Sequence, residues 1–192
     1  MARRIDPHQK MAQVINVART LFVTRGYHNV SIPLLVQESG VSIGAIYHHF
    51  ISKEGVAKVV HEQTLEQFQK HLHEHLEPCT GTREKLVAFV HLVFRVTEED
   101  PEVMEYMLLM KHGEFLKDVP PICSTRPFRK IQVIIEEGMT QGELRQGDSF
   151  LAAVAFTGVI LRAVELRLSG IITESLDTVT DVLIQHALSC LK

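Results

Sequence analysis

The spacing of apolar residues predicts a chain that is helical almost throughout. In residues 9–25 the apolar side chains recur every three or four positions, which places them on one face of a helix that ends at a glycine. A second, short helix is predicted from Ser31, a natural N-cap, to Gly40, and a third from Ser42, another natural cap, to Phe50. The pattern therefore predicts three helices within residues 1–52.

The rest of the chain repeats the helical pattern in longer segments, separated by prolines and glycines. Further helices are predicted at residues 53–77, 82–98, 101–116, 126–141, 149–168 and 173–191. We therefore predict an all-α protein of about nine helices.

The second and third predicted helices are joined by a tight turn, and the third carries an unusual set of side chains. Two helices joined by a short turn containing glycine form a helix-turn-helix, whose second helix enters the major groove of DNA. Residues 39–53 contain no carboxylate, which phosphates would repel, and the small Gly44 and Ala45 allow a close approach to bases. The alternative is that Tyr47 is a core residue and that His48 and His49 are merely solvated.

Charge is unevenly distributed along the chain. Residues 1–60 hold seven Lys or Arg and three carboxylates, a net charge of +4, whereas the whole chain carries −3, which leaves −7 for the rest. A basic segment attached to an acidic body is expected of a phosphate-binding protein, because each phosphate contact releases counterions. Chance gives similar totals, so charge alone does not decide the function.

The N-terminal segment carries a set of short motifs at fixed spacing: Arg25-Gly26-Tyr27, Ser31, Gly40-Val41-Ser42, Gly44, Tyr47-His48-His49-Phe50 and Ser52-Lys53-Glu54. In their order and spacing, over roughly residues 10–60, these motifs resemble the DNA-binding segment of the TetR family of bacterial transcriptional repressors. Residues 135–148 and the apolar run after them are similar to the family's closing helices. The resemblance implies a three-helix DNA-binding domain (1–52), a connecting helix (53–77) and a larger helical domain (78–192) for ligand binding and dimerisation.

The resemblance also implies roles for individual residues at the DNA. The implied phosphate, backbone and base-edge positions are Ser31, Ser42, Ile43, Gly44, Ala45, Tyr47, His48, His49 and Lys53. Because Ile43 and Ala45 have no polar hydrogen on their side chains, we expect them to contact thymine methyl groups. Arg3 and Arg4 are candidates for the minor groove, with a flexible basic tail as an equal alternative.

The C-terminal segment contains methionines and aromatic residues at helical spacing, together with a few polar residues. Such methionines form deformable apolar walls, and the polar residues are suited to orient one polar group of an oily or aromatic ligand. The predicted pocket comprises Phe89, His91, Phe94, Arg95, Met104, Tyr106, Met107, Met110, His112, Phe115 and Phe128. Taken singly, each apolar residue is better explained as ordinary core, and the polar residues on the same helices are what favour a pocket.

The last two predicted helices are apolar over more than one face, which predicts a dimer. Pairing them with their copies in a second subunit would bury that surface and set two recognition helices about 34–36 Å apart, one turn of DNA. The predicted interface comprises Ala152, Ala155, Phe156, Val159, Val182, Leu183 and His186.

The resemblance implies a homodimeric repressor, and together with the observations above it predicts a ligand-responsive one that a small, largely apolar effector releases from a palindromic double-stranded DNA operator. The effector would favour a dimer conformation with the wrong helix spacing, and the helix at 53–77 is the expected lever. No catalytic motif is present, so we expect no enzymatic activity, cofactor or metal. No run reaches the about 20 apolar residues of a membrane span, and the first residues lack a signal peptide, so we expect a cytoplasmic protein without a membrane partner.

Two alternatives remain open. A metal- or thiol-responsive sensor on the same scaffold would use His71 and His75, one helical turn apart, or Cys79. Since Cys79, Cys123 and Cys190 are odd in number and far apart, reduced and idle thiols are the simpler interpretation. The second alternative is a helical ligand-binding protein or enzyme that does not bind DNA.

Overall fold

The computed structural model describes residues 7–117, 119–121 and 124–192. Arg3, Arg4 and Cys123 therefore lie outside the described residues. Within the described residues the chain forms nine α-helices and no strand: α1 (Pro7–Arg25), α2 (Ile32–Ser39), α3 (Ile43–Phe50), α4 (Lys53–Leu76), α5 (Thr82–Glu99), α6 (Pro101–Leu108), α7 (Arg126–Thr140), α8 (Ser149–Leu168) and α9 (Thr180–Ser189). The all-α prediction is confirmed.

Two helices are shorter than the apolar pattern predicted. The helix predicted at 101–116 ends at Leu108 and is followed by a short 3-10 turn, His112–Glu114. Gly113 lies in the missing part, and glycine weakens a helix by about 1 kcal/mol relative to alanine. The helix predicted at 173–191 begins only at Thr180, because the Ser175 hydroxyl accepts a hydrogen bond from the backbone nearby and starts a 3-10 turn instead.

The helices form two compact units. The first consists of the chain up to Thr64 together with Met110–Val119, and the second of Leu65–Leu109 with Pro120–Lys192. The chain therefore passes between the units three times: inside α4, after Leu109 and after Val119. The helical pattern predicted residues 110–119 as part of the C-terminal domain instead.

The first unit is built around α1, α2 and α3. Its buried apolar residues include Val14, Ala18, Phe22, Leu35, Ile46, Phe50, Val56 and Val60. Residues 110–119 add Phe115, whose ring stacks on that of Tyr27 with centroids 4.2 Å apart and planes 12° from parallel. Such stacking between aromatic rings is worth about 0.5–1.5 kcal/mol beyond the area it buries.

The second unit has α5 at its centre, in contact with α6, α7, α8 and α9. Its most deeply buried residues include Leu72, Leu86, Val90, Val93, Phe94, Met104, Ile131, Ile135, Phe156, Ile160 and Val164. An ion pair joins α5 to α8, because Arg167 donates two hydrogen bonds of 2.9 Å to the Glu98 carboxylate. The same carboxylate accepts the backbone N–H of Leu176 at 2.9 Å, which fixes the turn before α9.

Among the described residues, α8 is the one helix long and apolar enough to span a membrane by length and composition, with a mean hydropathy of 1.7. One third of that stretch is buried within the protein. Core helices of soluble proteins pass the same test, so the helix is weak evidence for a membrane span.

Candidate DNA-binding and effector sites

The turn between α2 and α3 is held by short-range interactions. The Ser31 hydroxyl accepts a hydrogen bond from the N–H of Leu34, and the Ser42 hydroxyl accepts one from Ala45, each at 3.4 Å. Gly40 ends α2 in the left-handed conformation, with φ of 66°, which glycine adopts without steric cost. Both predicted caps and the predicted corner are therefore present.

The outer surface of α3 is exposed and free of carboxylates. Ile43 and Tyr47 each keep 49% of their surface exposed, Gly44, His48 and His49 are also exposed, and Ala45 is half-buried. We call these six residues the recognition face. Ile46 and Phe50, on the opposite side of α3, are buried in the core of the unit. The prediction that Tyr47 lies outside the core is consistent with this arrangement.

The end of α3 is pressed against the start of α4. A Cβ atom at Gly55 would lie 1.9 Å from the carbonyl oxygen of Phe50, so only glycine fits there. Ile51, between the two helices, has φ of 68°, a conformation that is strained for a β-branched residue. Gly55 is not among the predicted site residues; the signal for it in the sequence is a glycine in the first turn of a predicted helix.

Lys53 has a structural role in addition to its predicted contact with phosphate. Its ammonium donates hydrogen bonds to the carbonyl oxygens of Tyr27 (3.1 Å) and Val30 (3.0 Å) and lies 4.0 Å from the Tyr27 ring centre. The Tyr27 hydroxyl donates to the Glu54 carboxylate at 3.2 Å. Burial, and then the Glu54 charge, raise the pKa of Tyr27 to about 12. These contacts fix the start of α4 to the loop after α1.

Two histidines lie against each other in the first unit. The ring centroids of His61 and His112 are 4.7 Å apart. Burial, and to a smaller extent the charge of His61, lower the pKa of His112 to about 4, and burial also lowers the pKa of His61. Both rings are therefore neutral at pH 7.

The second unit contains an apolar cavity of about 40 Å³. It is lined by Phe68, Phe89, Val93, Met104, Met107, Leu108, Thr125, Pro127, Phe128, Thr157 and Leu161. Four of the predicted pocket residues are among them: Phe89, Met104, Met107 and Phe128. Sequence reasoning missed the other seven, because an apolar residue that lines a cavity has the same spacing as one that fills a core.

The other predicted pocket residues do not line the cavity. His91 and Arg95 are exposed, because the inward face of α5 is set by residues such as Phe89 and Val93, and positions 91 and 95 fall on the other side. The remaining five are buried elsewhere or belong to the first unit: Phe94 and Tyr106 are core residues, and Met110, His112 and Phe115 belong to the segment 110–119. The predicted polar residues are thus replaced by two hydroxyls, of Thr125 and Thr157.

The geometry contradicts a metal site at His71 and His75. The Nδ1 of His75 donates to the carbonyl oxygen of His71 at 2.8 Å, and its Nε2 accepts from the Arg95 guanidinium, so both ring nitrogens are engaged. In the part of the chain that the structure describes, no three His, Cys, Asp or Glu residues form a group suited to a metal ion. Burial raises the pKa of the Cys79 thiol, the opposite of what a reactive sensor thiol needs.

The predicted dimer surface is largely accessible, with one exception. Ala155, Val182 and His186 are exposed, and Ala152, Val159 and Leu183 are half-buried. Phe156, however, is completely buried in the core of the second unit and cannot face another subunit. The exposed apolar residues on this surface that the sequence analysis missed are Phe150, Leu151 and Val154 of α8.

Comparison with known proteins identifies the family. Residues 14–60 match the sequence model described as bacterial regulatory proteins, tetR family. The chain is similar to the Fatty acid metabolism regulator protein of Bacillus subtilis (strain 168), with 25% identity over 162 residues that cover 79% of each chain. It is also similar to the HTH-type transcriptional repressor KstR2 of Mycolicibacterium smegmatis, with 24% identity over 145 residues, 73% of this chain and 70% of that one. The chain belongs to the TetR family.

One solved structure shows the same fold along nearly the whole chain. The transcriptional regulator FadR from Bacillus subtilis, in complex with stearoyl-CoA, superposes with a TM-score of 0.76 and 20% identity, covering 94% of this chain and 99% of that one. At this identity the likeness establishes the fold. As a TetR-family member, the protein is a DNA-binding transcriptional regulator, not an enzyme.

Proposed function

We propose that the protein is a cytoplasmic homodimeric repressor that binds a palindromic operator through the recognition face and leaves it when an apolar effector enters the cavity. The observation that carries the proposal is the recognition face itself, six accessible residues without a carboxylate on a helix capped at Ser42. A relative named as a transcriptional repressor supports the direction of control.

DNA binding is tested by placing a carboxylate on the recognition face. A duplex is first selected from a random library with the purified protein. His48→Glu should weaken binding to this duplex and to unrelated DNA, because the new charge faces phosphates. Gln67→Glu, which adds the same charge at an exposed position in α4, should bind normally. Equal affinities of the two variants would refute DNA binding by this face.

The effector that we propose is a molecule with a long hydrocarbon chain. The cavity lining is almost entirely carbon, the Fatty acid metabolism regulator is a relative, and the FadR structure holds stearoyl-CoA. A cavity of about 40 Å³ has room for only a few water molecules, far less than such a chain needs. Binding must therefore enlarge it, and the flexible side chains of Met104 and Met107 are suited to that movement.

Chain continuity provides the coupling between cavity and DNA. Met104, Met107 and Leu108 of α6 line the cavity, and from Met110 the chain belongs to the first unit, where Phe115 stacks on Tyr27. The segment 110–119 is thus a second link beside α4, which was the only one expected. For a hundredfold loss of operator occupancy, the effector must favour the released conformation by about 2.7 kcal/mol.

The effector proposal is tested with stearoyl-CoA and the selected duplex. We expect stearoyl-CoA to raise the melting temperature of the protein and to release the duplex. Leu161→Trp, which fills the cavity, should abolish both effects, whereas Val133→Trp, at a 43% exposed position on α7, should not. A ligand that raises the melting temperature but leaves the affinity for the duplex unchanged would refute the coupling.

The dimer is proposed to form through α8 and α9. Leu151 (61% exposed), Val154 (42%) and Val182 (56%) leave apolar surface on these helices that a second copy would cover. The double variant Leu151→Glu, Val182→Glu should be a monomer when measured by light scattering. This monomer should bind a half-site but should no longer bind the palindrome tightly. Leu109→Glu, at a 44% exposed position just after α6, is the control. A double variant that remains dimeric would place the interface elsewhere.

A further inference from the structure

The first turn of α7 has two different faces beside the cavity. Thr125, Pro127 and Phe128 line the cavity. The residues between and after them, Arg126, Arg129 and Lys130, are all exposed. We call these three cations the basic turn. Apolar residues thus face the cavity and cations face the solvent within six consecutive positions of the chain.

The basic turn is unusual for its surroundings. Residues 119–135 carry these three cations and no carboxylate, whereas the chain after residue 60 has a net charge of −7. None of the three forms an ion pair with any residue that the structure describes. Like charges three and four positions apart on a helix repel each other. An anion bound between them would relieve this repulsion.

The cavity itself cannot hold a charged group. Its lining contains no ionisable side chain, and of its two hydroxyls that of Thr157 already donates to the carbonyl oxygen of Ala153 at 2.7 Å. An unpaired ion in such surroundings would pay a large desolvation penalty. The charged end of any amphiphilic effector must therefore remain outside the cavity, near its rim.

We infer that the basic turn binds the anionic head group of an amphiphilic effector whose hydrocarbon chain enters the cavity. This inference rests on the apolar effector proposed above and adds the chemical class of its head. Two sources supply that chemistry, the carboxylate of a fatty acid and the phosphates of an acyl-CoA. Guanidinium groups bind both with paired hydrogen bonds, and the multiple phosphates of CoA can engage all three cations.

The test uses three probes with the same twelve-carbon chain: dodecanol, laurate and lauroyl-CoA. Their affinities are measured by calorimetry on the full chain and on the triple variant Arg126→Gln, Arg129→Gln, Lys130→Gln. We expect the variant to bind the anionic probes about tenfold or more weakly than the wild type, and dodecanol with unchanged affinity. The difference in affinity for the anionic probes should shrink at high salt, because salt screens the charges. The double variant Arg83→Gln, Arg145→Gln removes two exposed cations elsewhere in the same unit and should behave as wild type.

The pattern of losses distinguishes the possible outcomes. If the variant loses affinity for both laurate and lauroyl-CoA, the basic turn recognises either head group. If it loses affinity for lauroyl-CoA alone, the basic turn recognises the CoA phosphates. If the variant binds all three probes like the wild type, the basic turn is not a head-group site, although the apolar effector stands. If the wild type binds none of them, the apolar effector fails and this inference with it.

Folding of the variant is checked independently. Because the basic turn is exposed and its charges repel each other, neutralising it should leave the melting temperature of the free protein unchanged or slightly higher. The stabilisation by lauroyl-CoA should shrink in the same experiment. A variant that melts lower without ligand but is stabilised by lauroyl-CoA as strongly as wild type would show a structural role and overturn the inference.

Discussion

Gly44→Ala separates the contribution of α3 to folding from its contribution to DNA binding. Gly44 is exposed and helical, and a Cβ atom added there meets nothing within 4 Å. Alanine is the better helix former by up to about 1 kcal/mol, and the gain in the first helical turn is nearer about 0.5 kcal/mol. For a chain of this size we expect the melting temperature to rise by about 1–2 °C.

The same methyl group should weaken DNA binding. If the recognition face lies against base edges, the methyl occupies space that the DNA needs, and an extra methyl at a close-packed contact costs about 1–3 kcal/mol. That cost corresponds to about five- to 150-fold weaker binding. The two effects have opposite signs, so a folding defect cannot mimic the predicted result.

The assay combines thermal unfolding with anisotropy titrations on the selected duplex and on a scrambled duplex. Gly55→Ala is the contrasting variant, because its Cβ would lie 1.9 Å from the Phe50 carbonyl oxygen. We expect it to lower the melting temperature and to lose binding through misfolding. If Gly44→Ala binds the selected duplex within about twofold of wild type, the recognition face does not contact bases, and our assignment of α3 is wrong.

Three further predictions concern contacts inside the units. Lys53→Met removes two charge-assisted hydrogen bonds and the contact with the Tyr27 ring, and it should lower the free energy of unfolding in urea by about 2–3 kcal/mol. His112, whose pKa of about 4 lies below its unfolded value of 6.5, should make the protein less stable as the pH falls from about 6.5 towards 4. After allowance for solvent screening the loss at pH 5 is about 1–2 kcal/mol, and His112→Gln should reduce it in unfolding experiments at pH 7 and 5. Glu98→Gln weakens the paired hydrogen bonds with Arg167 and should cost about 1–2 kcal/mol by the same urea measurement.

Two of these predictions have a matched control variant. Lys58→Met and Glu165→Gln alter exposed ion pairs of the kind that contribute less than about 0.5 kcal/mol, and they should be nearly neutral. If Lys53→Met costs no more than Lys58→Met, the carbonyl contacts do not stabilise the fold. For His112, the sign follows from proton uptake by the unfolded chain, which begins near pH 6.5 and stabilises only that state. Identical pH profiles of wild type and His112→Gln would contradict the assignment.

The DNA-binding half of the protein was largely predictable because it is fixed by short-range chemistry. A Ser hydroxyl that caps a helix bonds to an amide three residues away, and Gly40 ends α2 through its own backbone conformation. Such interactions can be predicted from a few neighbouring residues of the sequence. The exposure of the recognition face follows from helical periodicity once Ile46 and Phe50 are taken as the buried side.

The cavity was predicted only in part, because apolar periodicity shows which face of a helix is buried but not what that face meets. The sequence could not distinguish Phe89, which lines the cavity, from Phe94, which fills the core further along the same helix. Nor did it show that Arg95 would pair with His75, or that Phe156 would point inward rather than towards a second subunit. Hydrophobic burial has no direction of its own, so these assignments required the packed structure.

The sequence by itself determined the all-helical class, the capped helix-turn-helix and the absence of carboxylates on its outer helix. Only the tertiary structure decided that residues 110–119 return to the first unit, where Phe115 stacks on Tyr27, and that Lys53 is tied to the carbonyl oxygens of a distant loop. The physical reason is the range of the interactions. Caps and turns form between neighbours in sequence, whereas stacking and packing join residues whose proximity depends on how the whole chain closes.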